Sequence, residues 1–199
     1  KELTHLGSEL ARLPVDPTIG RILLQSRREH VVSEAIIIAA GLSVQDPRER
    51  PVDKREKAEE AHRKLAHPDS DFLTLLNVWQ SYKAQWDATK SQSQVRKFCK
   101  ANFLSYMRMR EWGDLISELE SAMDAKVGEL SPVSSIKRFD GRYRAIHRAI
   151  LSGFIGQIAY RSERNTYRAA SGKVLTIFPG SALREKETSR GAPQRTTSK

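Results

Sequence analysis

The sequence predicts a mainly α-helical protein, in which a multi-helix bundle is followed by a partial antiparallel β module. Two observations predict this fold. Apolar residues recur at helical spacing in successive segments up to about residue 160. After Tyr160 the pattern changes to β-branched and aromatic residues that alternate and are bounded by glycine, which is typical of strands. We therefore expect a helical domain over residues 1–160, and a β module with a basic tail over residues 161–199.

Proline and a capping aspartate delimit the first helices. Residues 6–14 predict a short helix that stops at Pro14, and residues 16–28 predict a second helix. Asp16 at the N-cap and Pro17 at the first helical position are favoured residues for such a start.

A buried helix and a rigid connector follow. The segment "SEAIIIAAGL" at 33–42 is apolar nearly all round, which indicates a buried helix with Ser33 as its cap. The next segment, "VQDPRERP" at 44–51, contains two prolines, and proline disfavours helical geometry in the residue before it. We expect the chain to leave the core here and to run along the surface as an extended connector.

The remaining segments before residue 161 also have helical character. Asp53 is expected to cap a strongly charged helix over 54–66. The spacing of apolar residues then indicates helical segments over 69–86, 93–123 and 140–161, the second with a break near residues 100–102.

The C-terminal part predicts strands and then a tail. Residues 166–183 have the pattern of a β-hairpin with its turn near "ASGK" at 170–173. The final stretch, "REKETSRGAPQRTTSK", contains almost no apolar side chains, so we expect it to be poorly ordered.

Composition and charge limit the class of protein. The 199 residues are 39% hydrophobic and 29% charged, which is typical of a globular chain. The net charge is +10, and residues 161–199 hold nine Lys and Arg against three Asp and Glu, which favours a polyanionic partner such as nucleic acid over a merely solubilising tail.

A single cysteine excludes a disulfide framework and fits the cytoplasm. The longest apolar run, Ala35–Leu42, is far shorter than the roughly 20 residues of a membrane span. The start at Lys1, without methionine, predicts a piece of a larger protein.

A search for catalytic chemistry gives no connected set of residues. The sequence contains no phosphate-binding loop of the G-x-x-x-x-G-K-[ST] type, no G-x-G-x-x-G and no G-x-S-x-G. His62 and His67 are interpreted as surface or capping residues, since no acidic residue or cysteine is placed to complete a metal site with them. Cys99 is interpreted as a small buried side chain. Trp79 and Trp112 fall on apolar stripes and are assigned to the core.

Five blocks, in order along the chain, resemble the helicase-associated, ratchet-like region of DEAH-box RNA helicases. They are "LTHLGSELARLPVDP", "LSVQDPRERP", "HPDSDFLTLLNVW", "RKFCKANFLSYMRMREW" and "AILSGFIGQIA". The form "LSVQDPRERP" is most similar to the bacterial HrpA type. "GKVLTIFPGSAL" resembles the start of the OB-fold that follows in those proteins, and the first residues are expected to be the end of a winged helix.

The resemblance implies an accessory role in an ATP-dependent RNA helicase. The chain would help to form a channel for single-stranded RNA and support translocation by RecA-like domains, with those domains and the winged helix as partners. ATP and Mg²⁺ would act in the RecA-like domains, so this chain should hold no cofactor or metal and be inactive alone. The RNA-binding residues that the resemblance and the basic hairpin suggest are Asn102, Arg108, Arg110, Arg168, Lys173 and Ser181.

The sequence departs from the family pattern in two places and leaves two rival functions open. An OB-fold needs about five strands, more than residues 161–199 can supply, and "ETSR" follows "REK" directly, which predicts a chain break near Lys186–Glu187. The first rival is a protein-interaction bundle in which helices 53–66 and 69–86 dock a partner and the basic tail is incidental. The second is an independent enzyme, which the lack of a catalytic set disfavours.

Overall fold

A computed structural model describes residues 2–185, which form a helical bundle followed by a small sheet. The mainly α-helical fold class with a partial β module is therefore confirmed. The predicted tail and the predicted break near Lys186–Glu187 lie outside the described residues. The helices are α1 His5–Leu10, α2 Pro17–Glu29, α3 Val32–Ser43, α4 Arg55–Leu65, α5 Asp71–Thr89, α6 Gln92–Ala101, α7 Tyr106–Ala122 and α8 Gly141–Phe154, and the strands are β1 Ala159–Glu163, β2 Thr166–Ala169 and β3 Val174–Thr176.

The helix starts show which capping predictions hold. Asp16 caps α2 as expected, since its Oδ1 accepts a hydrogen bond of 2.7 Å from the Thr18 N–H. The predictions for Ser33 and Asp53 are wrong. Ser33 lies inside α3 and its hydroxyl points to the Lys126 carbonyl, 3.5 Å away, while Asp53 lies in a 3₁₀ turn before α4. Neither residue has the extended backbone on which an N-cap side chain depends.

α3 is the centre of the bundle and contacts α2, α5, α7 and α8. This position explains why its sequence is apolar nearly all round, as a helix with neighbours on every side must be. Trp112 of α7 is fully buried against it and donates a hydrogen bond of 2.9 Å from Nε1 to the Ile37 carbonyl. A Cβ at Gly41 would lie 2.6 Å from Cζ2 of that indole ring, so this crossing requires glycine.

Polar contacts join α8 to α3 and to the start of α5: an ion pair and a serine–histidine hydrogen bond. The Arg142 guanidinium lies 2.6 Å from an oxygen of the buried Glu34 on α3. Nε2 of His147 lies 2.8 Å from Oγ of Ser70, the residue that caps α5. Nδ1 of the same ring lies 2.7 Å from the Tyr143 carbonyl and therefore carries the proton, so Nε2 accepts from the serine hydroxyl.

The structure corrects the predicted helix over residues 140–161. α8 ends at Phe154, a 3₁₀ turn follows, and β1 begins at Ala159. Ile158, which falls within the predicted segment, lies outside α8 and is 49% exposed. The strand was missed because Phe154 and Ile158 are four residues apart, a helical spacing that carried the predicted helix past its observed end. In contrast, the predicted break inside 93–123 is confirmed, since residues 102–105 separate α6 from α7.

The β module is an antiparallel sheet in the order β1-β2-β3. Tyr160, Arg168 and Val174 are register partners across the three strands. The β2–β3 turn falls where it was predicted, and Gly172 has φ +79°, a conformation that glycine adopts without steric cost. Within the described part of the chain, no helix has both the length and the apolar character that crossing a membrane requires.

Candidate nucleic-acid interface

The connector at residues 44–51 is fixed to the loop between α6 and α7 by backbone hydrogen bonds. The Glu49 N–H donates to the Phe103 carbonyl at 2.8 Å, and the Ser105 N–H donates to the Pro47 carbonyl at 2.7 Å. Arg108 adds a side-chain bond of 3.0 Å from Nη1 to the Asp46 carbonyl. Two blocks of the sequence that are more than fifty residues apart are thereby held side by side as one surface.

The extended connector places alternate side chains on the same side. Arg48 and Arg50 both line a cleft against α4 and α5, whereas Glu49 does not. Arg48 is held by Asp46, with Nε at 2.9 Å from Oδ1 and Nη2 at 2.8 Å from Oδ2. Burial acts to raise the pKa of Asp46, but the hydrogen bonds and charge of Arg48 outweigh it and lower that pKa below its ordinary value. The pair therefore stays ionised and orients the first arginine.

His62 of α4 contacts the loop between α6 and α7 through its imidazole ring. Its Nε2 lies 3.0 Å from the Phe103 carbonyl, and because a carbonyl can only accept, Nε2 carries the hydrogen. Nδ1 is buried without a hydrogen-bond partner in the described structure. Burial is the main cause that lowers the pKa of His62, so the ring is neutral near pH 7. Of the two alternatives for His62 and His67, a surface position is wrong, since they are only 7% and 4% exposed. Nδ1 of His67 accepts a hydrogen bond of 3.1 Å from the Asp69 N–H just before α5.

The segment "FPGSAL" at residues 178–183 closes the other side of the cleft. The Ser181 hydroxyl donates a hydrogen bond of 2.6 Å to Oδ2 of Asp71, at the start of α5. The Arg50 guanidinium carbon lies 5.3 Å from the centre of the Phe178 ring, within the range of a cation–π contact. The β module is thus joined to the bundle by one hydrogen bond and one ring contact at this segment.

We call the resulting space the arginine cleft. Its volume is about 770 Å³. It is lined from the connector, α4, the start of α5 and the segment after β3, by Arg48, Arg50, Glu59, His62, Arg63, Ala66, Pro68, Asp71, Thr74, Pro179, Gly180, Ser181, Ala182, Arg184 and Glu185.

The arginine cleft contains more arginine side chains than carboxylates that could neutralise them. Among residues 2–185, Arg50, Arg63 and Arg184 have no carboxylate within ion-pair distance. Of the acidic groups of the lining, Glu59 pairs with Arg55, and Glu185 pairs with Arg161 and Arg164. The Asp71 carboxylate accepts a hydrogen bond from the neutral Ser181 hydroxyl and keeps its charge, so the three arginines face one carboxylate that has no cation partner among residues 2–185. Such a cleft attracts an anion because its positive charges are not locally neutralised. The described residues contain no group of three or more His, Cys, Asp or Glu side chains that could hold a metal ion.

The structure distributes the six residues proposed from the sequence over several surfaces. Ser181 lines the arginine cleft. Arg108 is outside that lining and donates a hydrogen bond to the Asp46 carbonyl of the connector. Asn102 donates from Nδ2 to the Phe98 carbonyl at 2.9 Å and so ends α6. Arg168 is exposed on β2, Lys173 is exposed in the β2–β3 turn, and Arg110 lies in a separate groove between α5 and α7.

Sequence reasoning missed the arginines that define the cleft. Arg50, Arg63 and Arg184 come from three different parts of the chain, and each alone has the pattern of an ordinary solvated residue. The available signal was the connector itself, where two prolines enclose two arginines at alternate positions. A strand-like segment with that pattern places both charges on one face.

Comparisons with known proteins relate the chain to RNA helicases. Residues 16–75 match the family described as "Helicase associated domain (HA2), ratchet-like". The chain is 38% identical over 187 residues to the ATP-dependent RNA helicase HrpA of Escherichia coli, a match that covers 93% of the chain. The chain contains the ratchet-like, helicase-associated region of the HrpA type. The arginine cleft therefore lies partly within the HA2 match and partly in the β module that follows the HrpA-type bundle.

Two further relatives extend the comparison. The HrpA homolog of Haemophilus influenzae is also 38% identical over 187 residues, or 93% of the chain. The DExH-box ATP-dependent RNA helicase DExH1 of Arabidopsis thaliana is 32% identical over 186 residues, or 91% of the chain. The chain spans 14% of the length of each bacterial relative and 18% of the plant one.

Proposed function

We propose that this HrpA-type region binds single-stranded RNA in the arginine cleft and guides it for an ATP-dependent motor outside the chain. The cleft supports this proposal because three arginines that have no ion-pair partner within residues 2–185 converge where the connector, α4 and the segment after β3 meet. Phosphate contacts position a strand without reading its sequence, which is what a guiding surface requires. Arg168 and Lys173 on the β module would extend the contact along the strand.

The parent protein would supply the chemistry of strand movement. RecA-like domains would bind ATP and Mg²⁺ and pull the strand, while this region would hold it between steps in the cytoplasm. The 199 residues contain no phosphate-binding loop, so no step of nucleotide hydrolysis is assigned to them. The isolated chain should show no ATPase activity with or without RNA, and turnover by the purified chain would contradict the accessory role.

Binding of a labelled oligonucleotide tests the role of the cleft. The dissociation constant of a fluorescein-labelled single-stranded U₁₂ RNA is measured by anisotropy between about 50 and 200 mM salt. Replacing Arg50, Arg63 and Arg184 together by Gln should weaken binding and reduce the salt slope by about 2, since each phosphate contact on a single strand contributes about 0.7. The matched control replaces Arg12, Arg28 and Arg144 together by Gln, which removes the same number of charges from exposed positions outside the lining of the cleft.

Separate substitutions examine the residues proposed from the sequence. If Arg108 and Lys173 contact phosphates, Arg108→Gln and Lys173→Gln should each lower the affinity and flatten the salt dependence. An unchanged affinity and slope in both variants would remove them from the interface. For Arg108, a lower affinity with an unchanged slope would indicate that it acts by holding the Asp46 carbonyl.

One observation favours the alternative of a protein-docking surface. A groove of about 420 Å³ between α5 and α7 is lined by Trp79, Tyr82, Trp86 and Tyr106 and carries both basic and acidic residues on its rim. Aromatic grooves of mixed charge suit a peptide better than a polyanion. If RNA binding is unaffected by deletion of residues 161–199 and by the triple arginine substitution, this groove becomes the preferred functional surface.

A further inference from the structure

Phe178 is an exposed aromatic residue held in a fixed position beside the arginine cleft. The residue is 60% exposed, although a phenylalanine normally gains stability from burial. One contact of its ring is with the guanidinium of Arg50, which itself lines the cleft. The ring therefore presents open aromatic surface next to an arginine that has no carboxylate partner among residues 2–185.

The backbone around Phe178 is built to hold the ring where it is. Pro179 follows it and restricts the chain. A Cβ at Gly180 would lie 2.8 Å from Cε1 of the ring, so glycine at this position leaves room for it. The Ser181 N–H donates to the Phe178 carbonyl at 3.0 Å, and the Ser181 side chain is fixed by Asp71. The ring is thus positioned before any ligand arrives.

The end of the same segment is anchored to the β module. The Glu185 N–H donates to Oδ1 of Asn165, and Nδ2 of Asn165 donates to the Glu185 carbonyl, both at 2.9 Å. The Glu185 carboxylate also pairs with Arg161 at 2.6 Å. The segment therefore contacts the bundle at one end and the sheet at the other, with Phe178 exposed on it.

We propose that Phe178 is a stacking platform for one nucleobase of the bound strand, with the adjacent phosphates on Arg50, Arg63 and Arg184. This inference rests on the proposed RNA-binding function and adds a specific contact to it. A nucleotide carries a flat base and an anionic phosphate in one unit. This combination matches an exposed aromatic ring beside arginines that have no carboxylate partner in the described part of the chain. Stacking accepts any base, so the platform grips the strand without selecting a sequence.

Substitution of the ring separates stacking from charge. Phe178→Leu keeps an apolar side chain but removes the flat surface, and it should weaken U₁₂ binding by about 5- to 150-fold, the effect of losing one stacked base. The salt slope should not change, because no cation is removed. Phe178→Trp should bind at least as tightly as the wild type. The control is Phe139→Leu, since Phe139 is also 60% exposed, also has an arginine against its ring, and lies outside the lining of the cleft.

An abasic probe completes the test. On an oligonucleotide that carries the sugar–phosphate backbone without bases, the wild type and Phe178→Leu should bind equally. Circular dichroism and the urea midpoint show whether each variant is folded. If the wild type binds U₁₂ and the triple arginine variant binds weakly, but Phe178→Leu equals the wild type, the stacking inference is overturned alone. If the wild type does not bind RNA, the proposed function fails, and the inference fails with it.

Discussion

Gly41→Ala should destabilise the bundle, although alanine is ordinarily the better helix former. In an exposed helix the change would gain about 1 kcal/mol. Here the new Cβ would lie 2.6 Å from Cζ2 and 2.9 Å from Cε2 of Trp112, distances that real Cβ atoms essentially never show. The indole cannot move aside easily, because it is fully buried and hydrogen-bonded to the Ile37 carbonyl. Overpacking of this kind costs about 3 kcal/mol at the upper end of its range, so we expect a net loss of about 2 kcal/mol.

The assay is equilibrium urea unfolding followed by tryptophan fluorescence and circular dichroism. The matched control is Gly141→Ala at the first position of α8, where a Cβ would meet nothing within 4 Å. That variant should be as stable as the wild type or up to about 1 kcal/mol more stable. If Gly41→Ala were as stable as Gly141→Ala, the tight contact between α3 and Trp112 would be wrong, and with it the central position of α3.

Three further outcomes can be measured by the same urea unfolding. Arg142→Ala leaves the buried Glu34 carboxylate without its ion-pair partner and should lower the free energy of unfolding by about 3 kcal/mol. Arg142→Lys keeps the positive charge and should lower it by less. Ser70→Ala removes the α5 cap and the His147 partner and should cost about 1–2 kcal/mol, whereas an unchanged midpoint would exclude both roles. Burial lowers the pKa of His62 and His147 below 6.5, so below that pH the unfolded chain binds more protons and the free energy of unfolding should fall as the pH decreases. In His147→Asn the free energy of unfolding should fall less between pH 6.5 and lower pH than in the wild type. An equal fall would show that His147 does not contribute to this pH dependence.

The helical part of the fold could be predicted because its signals are local. The Asp16–Pro17 start of α2, the apolar run of α3 and the break before α7 each depend on residues within a few positions of one another. Prediction was wrong where helical spacing continued past the end of a helix, as at Ile158, or where a capping residue lacked the required backbone, as at Ser33. Spacing alone cannot decide between such alternatives, since tertiary contacts choose one of them.

The arginine cleft could not be predicted by the same reasoning, because it depends on contacts distant in sequence. Nothing near Phe178 indicates that Arg50 lies against its ring, and nothing near Asp71 indicates the Ser181 hydroxyl. The resemblance of separate blocks to one family indicated that they belong together. It did not show that the basic residues of the connector, rather than Arg110, face the segment after β3.

The prolines and hydrogen bonds of the connector explain why a rigid, charged segment follows the buried helix α3. Asp46 and Arg50 each precede a proline and are therefore biased to extended geometry, the geometry that puts Arg48 and Arg50 on one side. An extended segment has backbone groups to satisfy, and the loop at residues 102–105 supplies partners for them. A helix could not present two arginines two residues apart in one direction, because such residues diverge on its surface. The prolines thus fix the conformation, the loop stabilises it, and the arginines are left to face the cleft.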